Sequence, residues 1–129
     1  MKIVIVGGPK TGKTTFAKKL SSDTEIVPVR HTDDVISLGW SEGSAEVATW
    51  FDKPGSWIVE GVAAVRALRK WLDAHRDGKP CDVVKMMLTG PFGTPTKAQA
   101  AMTKGHNTVW AEIENDLRDR GVRIERVNL

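Results

Sequence analysis

Eight residues near the start of the chain have the types and the spacing of a phosphate-binding loop. Residues 7–14 read GGPKTGKT, which matches the pattern G-x-x-x-x-G-K-[ST] at every fixed position. Glycine permits backbone dihedral angles that a Cβ atom would forbid, so such a loop can curl around an anion and direct its N–H groups at phosphate oxygens. The helix that follows would point its positive end at the same place. The pattern therefore predicts binding of a nucleotide through its phosphates.

The residue types in this loop also indicate separate tasks. Lys13 is expected to reach the β- and γ-phosphates, and the Thr14 hydroxyl is expected to hold Mg²⁺. The predicted nucleotide-binding residues are Gly7, Gly8, Pro9, Lys10, Thr11, Gly12, Lys13, Thr14 and Thr15. The flanking sequence agrees, since residues 3–6 form an apolar run typical of a strand buried on both faces and residues 14–21 have a helical pattern.

Length and composition indicate one globular domain. The chain has 129 residues, of which 40% are hydrophobic and 27% are charged, and its formal net charge is only +3. These values do not indicate the clustered basic surface of a nucleic-acid-binding protein. Cys81 is the one cysteine, which excludes an internal disulfide and favours a reducing compartment. The opening apolar run is too short for a signal peptide or a membrane span, so we expect a cytoplasmic protein without a membrane partner.

Apolar runs alternate with helical patterns along the whole chain. The predicted strands are residues 3–6, 25–30, 56–60, 82–88 and 122–127. The predicted helices are residues 14–21, 43–51, 62–75 and 107–120, with Ser44 and Asn107 as caps of the second and the last, and residues 89–96 are a predicted loop. This alternation predicts an α/β fold, a three-layer sandwich in which a five-stranded parallel sheet has helices on both faces. The active site should then lie at the carboxyl ends of the strands.

Other parts of the sequence narrow the class of nucleotide-binding protein. The Asn-Lys-x-Asp motif with which Ras-type GTPases read guanine is absent. The third predicted strand ends in Glu60, whereas large motor ATPases need more chain and an apolar strand that ends in an aspartate. Small phosphotransferases remain as the class that fits.

Three segments resemble the P-loop kinase family, which contains nucleoside monophosphate, shikimate, gluconate and polynucleotide kinases. They are residues 7–15, Thr32-Asp33-Asp34 after the second strand, and Glu60-Gly61 after the third. Residues 104–113 are also similar to short, often phage-encoded, P-loop ATPases or kinases. The resemblance implies a nucleotide-kinase-like P-loop NTPase fold, ATP and Mg²⁺ as cofactors, and an acceptor bound over the strand ends.

The resemblance also implies roles for acidic residues. Asp33 would activate the acceptor hydroxyl or help to hold the metal ion, and Asp34 beside it would contact the substrate. Glu60 would be a catalytic residue, together with Lys13 and Asp33, because its carboxylate could orient metal-bound water. The alternatives are structural: the aspartates could cap a turn, and Glu60 could serve as an anion at the start of the next helix.

The basic residues and the tryptophans leave alternatives open. Arg66 could bind an anionic acceptor, although a basic helical face is more often solvated. Members of the family often supply arginines after the fourth strand, but this chain has only lysines there, of which Lys97 and Lys104 are candidates for a lid. Trp40 could stack on a ring of the acceptor, while a place in the core is favoured. Trp71 and Trp110 are expected in the core.

The leading hypothesis from the sequence is an ATP-dependent kinase whose partners are a nucleotide donor and a small-molecule acceptor, a nucleoside or nucleotide. One alternative is a polynucleotide 5′-hydroxyl kinase, in which the acceptor is a nucleic-acid end. Another is a nucleotide-binding ATPase module that acts through a protein partner, which the missing lid arginines favour. The sequence leaves the choice among these functions and the oligomeric state open.

Overall fold

The computed structural model describes residues 1–88 and 92–128. These residues form five strands: β1 Lys2–Val6, β2 Val29–His31, β3 Trp57–Glu60, β4 Val83–Met87 and β5 Arg123–Val127. They also form four α-helices: α1 Lys13–Thr24, α2 Trp40–Trp50, α3 Ala64–Ala74 and α4 Lys97–Asp119. Two short 3₁₀ turns, Thr32–Asp34 and Ile36–Leu38, follow β2. Thr89, Gly90 and Pro91 of the predicted loop lie outside the described residues, as does Leu129.

The five strands described above lie in one parallel sheet in the order β2-β3-β1-β4-β5. This confirms the prediction of a five-stranded parallel sheet in an α/β fold. The order also determines which helix covers which face, because crossovers between parallel strands are almost always right-handed. The chain moves from β1 outward to β2, then returns through β3 and continues to β4 and β5 on the other side of β1. The helix of the first crossover, α1, therefore lies on one face, and α2, α3 and α4 lie on the other.

Alternate residues of the strands pack into two hydrophobic cores, one on each face. Ile3 and Ile5 of β1 pack with Ile58, Val83 and Ala17 on the face that α1 covers. The core on the opposite face includes Val4, Val6, Val59, Val84, Val47, Leu68, Trp71, Val109, Trp110 and Leu117. The central strand is thus buried on both sides, and the predicted core positions of Trp71 and Trp110 are confirmed.

The starts of β2 and of α2 differ from the prediction. β2 is shorter than the predicted strand at residues 25–30, because Pro28 lacks an N–H group and the strand begins only at the next residue. α2 begins at Trp40 instead of residue 43, so Ser44 is not its N-cap. The Ser44 side chain is buried within the helix, and its Oγ donates a hydrogen bond to the Trp40 carbonyl oxygen (2.6 Å).

The last helix is much longer than predicted. α4 begins at Lys97 instead of Asn107, because Thr96 and Gln99 form a capping box at its start. The Gln99 N–H donates to Thr96 Oγ1 at 3.1 Å, and the Thr96 N–H donates to Gln99 Oε1 at 2.9 Å. Asn107 therefore lies in the middle of a 23-residue helix. Neither α4 nor any other helix in the described residues is both long and apolar enough to cross a bilayer.

Candidate functional site

The residues after β1 occupy the place where open α/β sheets bind ligands. β1 lies between β3 and β4, and the crossovers that leave β1 and β3 run toward opposite edges of the sheet. Such a change of direction opens a crevice at the carboxyl ends of the strands. Residues 7–15 follow β1 at this edge and continue into α1.

The loop that follows β1 turns through two residues in the left-handed region before α1 begins. Lys10 has φ +60°, and Gly12, the N-cap of α1, has φ +85°. Glycine adopts this conformation at little cost, so the turn into the helix favours it at position 12. Position 8 favours glycine for a different reason, since a Cβ atom there would lie 2.8 Å from Thr103 Oγ1 and 3.3 Å from Thr103 Cβ of α4. The loop thus leads directly to the N-terminus of α1, where unpaired N–H groups favour an anion.

Lys13 is buried inside this loop, with 7% of its surface exposed. Its Nζ donates hydrogen bonds to the Gly8 carbonyl oxygen at 2.6 Å and to Thr11 Oγ1 at 3.3 Å. Burial lowers the pKa of Lys13, while the nearby carboxylates of Glu60 and Asp33 act in the opposite direction. Both hydrogen-bond partners are neutral, so an anionic ligand would stabilise the ammonium more strongly than the loop itself does.

Glu60 connects the loop to the neighbouring strand β2. It ends β3, is only 2% exposed, and its Oε1 accepts a hydrogen bond from Thr14 Oγ1 at 3.0 Å. The same oxygen lies 2.6 Å from His31 Nδ1, because His31 and Glu60 are paired residues in β2 and β3. The Glu60 side chain therefore contacts α1 and β2. The N-cap of α3 is Ala63, so Glu60 does not occupy the helix start that the alternative interpretation gave it.

A cavity of about 240 Å³, which we call the phosphate cavity after the loop motif that lines it, lies between the loop and Asp33. Its lining residues are Pro9, Lys10, Thr11, Gly12, Lys13, Thr14, Thr15, Asp33, Val62 and Gln99. Asp33 is exposed on the 3₁₀ turn after β2, and its charge acts on Lys13, so the two groups are close. The structure thus brings most of the predicted loop residues and Asp33 together around one space. Asp34 is exposed on the same turn and does not line this cavity, so its contact with substrate stays a prediction.

Thr14 and Glu60 offer oxygen donors that suit Mg²⁺. Thr14 Oγ1 and Glu60 Oε1 are 3.0 Å apart, and the predicted metal ligands Thr14 and Asp33 both line the phosphate cavity, which Glu60 does not. Within residues 1–88 and 92–128, no group of three or more His, Cys, Asp or Glu side chains could hold a metal ion by itself. Mg²⁺ in phosphoryl-transfer sites uses one or two carboxylates and takes further ligands from phosphate and water. This donor set therefore fits the ion that the loop sequence implies.

A second cavity, of about 340 Å³, adjoins the phosphate cavity. We refer to it as the Trp40 cavity; Val62 lines both cavities. Arg66 of α3 lines the Trp40 cavity and not the phosphate cavity, so this predicted substrate residue lies to one side of the loop. Trp40 is 43% exposed, and the prediction that it lies in the core is wrong. The reason is that α2 begins at Trp40, which places this residue on an exposed first turn.

Helix α4 occupies the region in which the sequence predicted a lid. Lys97 and Lys104 are exposed on this helix and line neither cavity. α4 instead brings Gln99 to the phosphate cavity and His106 to the Trp40 cavity. Neither residue was predicted from the sequence as part of the site, but the Thr-x-x-Gln spacing of the capping box, which includes Gln99, is a sequence signal for the helix that positions both.

No protein-family model matches the chain, and no curated protein sequence matches it. The function must therefore be inferred from the chemistry of the two cavities.

Proposed function

We propose that the chain is an ATP- and Mg²⁺-dependent phosphotransferase with a P-loop fold of the nucleotide-kinase type. The observation that carries the proposal is the position of Lys13. Its buried ammonium lies in the loop at the carboxyl end of the central strand, beside a cavity that Asp33 also lines. A triphosphate in this cavity would give Lys13 charged oxygen partners, and it would bring the γ-phosphate near a carboxylate that can act on an acceptor.

The donor would be held by groups at the start of α1. Backbone N–H groups of the loop bind the phosphates, and Lys13 Nζ pairs with oxygens of the β- and γ-phosphates. Thr14 would hold Mg²⁺, which supplies positive charge next to the phosphate oxygens when it is bound, and Glu60, hydrogen-bonded to Thr14, would orient metal-bound water. His31, 2.6 Å from Glu60 Oε1, keeps that carboxylate in place.

Asp33 would act on the acceptor. As the acceptor hydroxyl oxygen forms its bond to the γ-phosphorus, the bond between that phosphorus and the β,γ-bridging oxygen breaks, and ADP leaves. The proton of the hydroxyl group passes to a carboxylate oxygen of Asp33. Its exposed position on a turn leaves Asp33 accessible to an incoming alcohol.

One observation favours an alternative function, a nucleotide-binding ATPase module that acts through a protein partner. In the part of the chain that the structure describes, the cationic side chains that line the phosphate cavity are Lys10 and Lys13, and no arginine lines it. An arginine that stabilises charge on the transferred group contributes several orders of magnitude in rate. A partner protein could supply this group.

A different observation keeps the polynucleotide 5′-hydroxyl kinase among the candidates. A third space, of about 230 Å³, continues from the Trp40 cavity along α3, and Trp40 and Arg66 line both. Arg69 and Lys70 also line this third space. Such a run of cations favours an acceptor that carries phosphate groups.

Binding of the donor is the first test. We expect calorimetry with MgATP to show binding to the wild type and a loss of about tenfold or more for Lys13→Ala, because a hydrogen bond to a charged group contributes about 1.5–3 kcal/mol. Lys18→Ala is the matched control, since Lys18 is an exposed lysine on the same helix that does not line the cavity. An unchanged affinity of Lys13→Ala would contradict the proposed cradle.

Transfer to an acceptor is the second part of the test. Labelled ATP is supplied with nucleosides, nucleotides and 5′-hydroxyl oligonucleotides. Asp33→Asn should slow transfer by about a hundredfold or more while ATP still binds, because a general base contributes rate and not donor affinity. Asp23→Asn, an exposed aspartate on α1, serves as the control. ATP hydrolysis that persists in Asp33→Asn, with no transfer by the wild type to any acceptor, would support the ATPase module instead.

A further inference from the structure

The Trp40 cavity contains a buried polar atom without a partner. His106 lines the cavity and is only 4% exposed. Its Nδ1 lies 3.3 Å from Asn107 Oδ1, whereas its Nε2 is buried and has no hydrogen-bond partner among the described residues. Buried polar side-chain atoms are usually hydrogen-bonded, so an unpartnered atom in a residue that lines a cavity indicates that a ligand there can supply the missing partner.

The hydrogen bonding of His106 indicates which kind of partner is missing. Burial lowers the pKa of His106, the hydrogen bond with Asn107 acts in the opposite direction, and the positive charge of Lys13 lowers the pKa again, so the net shift favours the neutral imidazole near pH 7. With Asn107 Oδ1 as acceptor, the proton of the neutral ring is on Nδ1. Nε2 then carries a lone pair, and the group that fits it is an N–H or O–H donor.

The other lining residues indicate the remaining chemistry of a ligand. Trp40 presents an exposed indole ring, on which a planar heterocycle can stack. Arg66 adds a guanidinium group that can bind an anionic group. Val62 lines both this cavity and the phosphate cavity. The charge of Lys13 also lowers the pKa of His106, so the two cavities are close. A ligand here can therefore extend toward Asp33.

We infer that the Trp40 cavity is the acceptor pocket, and that His106 Nε2 accepts a hydrogen bond from the heterocycle or sugar of a nucleoside-type alcohol whose base stacks on Trp40. Arg66 binds the phosphate of those acceptors that carry one. This inference rests on the proposed function, and it makes His106 a residue that selects the acceptor without contacting the donor. Acceptors that lack a correctly placed donor group leave Nε2 unpaired and bind more weakly.

The experiment measures equilibrium binding of the four common ribonucleosides and their 3′-monophosphates, and of MgATP, to the intact chain. His106→Phe keeps a planar ring and removes the acceptor nitrogen; His75→Phe, a histidine outside the cavity, is the control. We expect at least one probe to bind, His106→Phe to weaken that binding by about tenfold, and both variants to keep the affinity for MgATP.

Three outcomes would overturn the inference while the donor site stands: none of the probes binds although MgATP does, His106→Phe binds the probes like the wild type, or His106→Phe binds MgATP more weakly. The last result would assign the cavity to the base of the donor. Absence of MgATP binding to the wild type would instead refute the proposed function itself.

A second measurement does not depend on how the variant folds. Nitrogen-detected NMR of histidine side chains in the wild type should show a shift of the His106 Nε2 signal when the bound probe is added. The signals of His31 and His75, which do not line the cavity, serve as internal references. A His106 Nε2 signal that stays unchanged at saturating probe would contradict the hydrogen bond.

Discussion

Gly61 follows β3 and allows the turn that carries Asp33 to pack closely against the end of this strand. Replacing Gly61 with alanine tests this contact. Gly61 has φ +145°, a conformation that residues with a side chain rarely adopt. A Cβ atom at this position would lie 1.8 Å from Thr32 Oγ1 and 2.8 Å from Thr32 Cβ. Thr32 is fully buried, so it cannot move away without displacing its neighbours.

The expected loss of stability has two parts. The backbone strain of Gly61→Ala costs about 1–3 kcal/mol, and overlap with a buried side chain costs about 1–3 kcal/mol more. The sum of about 2–6 kcal/mol is a large share of the 5–15 kcal/mol that is typical for a domain. Gly55→Ala is the matched control, because Gly55 has φ +83° but nothing lies within 4 Å of its Cβ position. The control should show the backbone part alone.

Urea unfolding followed by tryptophan fluorescence measures the free energy of unfolding of both variants. Combining Gly61→Ala with Thr32→Ala removes the 1.8 Å overlap and leaves the contact at 2.8 Å. The loss in free energy of unfolding in the double variant should therefore be about 1 kcal/mol smaller than the sum of the losses in the two single variants. Among the folded molecules, transfer activity should fall further than ATP affinity, because the displaced turn carries Asp33. Additive effects, or a Gly61→Ala variant as stable as Gly55→Ala, would refute the reasoning.

Two further changes test the charges around the loop. Glu60→Gln keeps the size of the side chain but removes its charge, so the gain in ATP affinity that Mg²⁺ provides should shrink about tenfold. Titrations of ATP with and without Mg²⁺ measure this gain. A gain equal to that of the wild type would contradict the proposed role of Glu60. The pKa of His106 is lowered in the folded state, so below its ordinary value of about 6.5 the unfolded chain binds more protons and stability falls with decreasing pH until the folded-state pKa is passed. Urea unfolding between pH 5 and 7 should therefore show a steeper dependence for the wild type than for His106→Phe, and equal slopes would show that His106 does not titrate differently on folding.

Local patterns were sufficient to predict the sheet and the loop. The apolar run of β1, the glycines after it and the helical pattern of α1 are contiguous, and each has a physical reason that can be read within a few residues. The start of α4 was harder, because the Gly105-His106-Asn107 sequence has the composition of a helix boundary, whereas the capping box at Thr96 determines where the helix begins.

The contacts that complete the site could not be read from the sequence. His31 reaches Glu60 only because β2 pairs with β3 in a register that aligns these two residues, and their separation of 29 positions carries no local signal. His106 is likewise brought to the Trp40 cavity by the packing of α4 on α3. The loop motif predicted Lys13 and the resemblance to P-loop kinases predicted Asp33 as members of one site, while the residues between and around them depend on tertiary structure.

The loop and Asp33, the two parts of the site, follow strands that differ in their stability against local unfolding. The loop follows β1, which is covered on both faces and paired on both edges, while Asp33 follows β2, a three-residue strand at the edge of the sheet. Short edge elements open locally at a smaller free energy than a buried central strand. A brief detachment of β2 would withdraw Asp33, the proposed proton acceptor, and free Glu60 from His31, yet leave Lys13 and its loop in position. In the proposed function, the chain would then keep a bound triphosphate without transferring phosphate, and the frequency of this state would depend on the stability of the sheet edge and not on the affinity of the loop for phosphates.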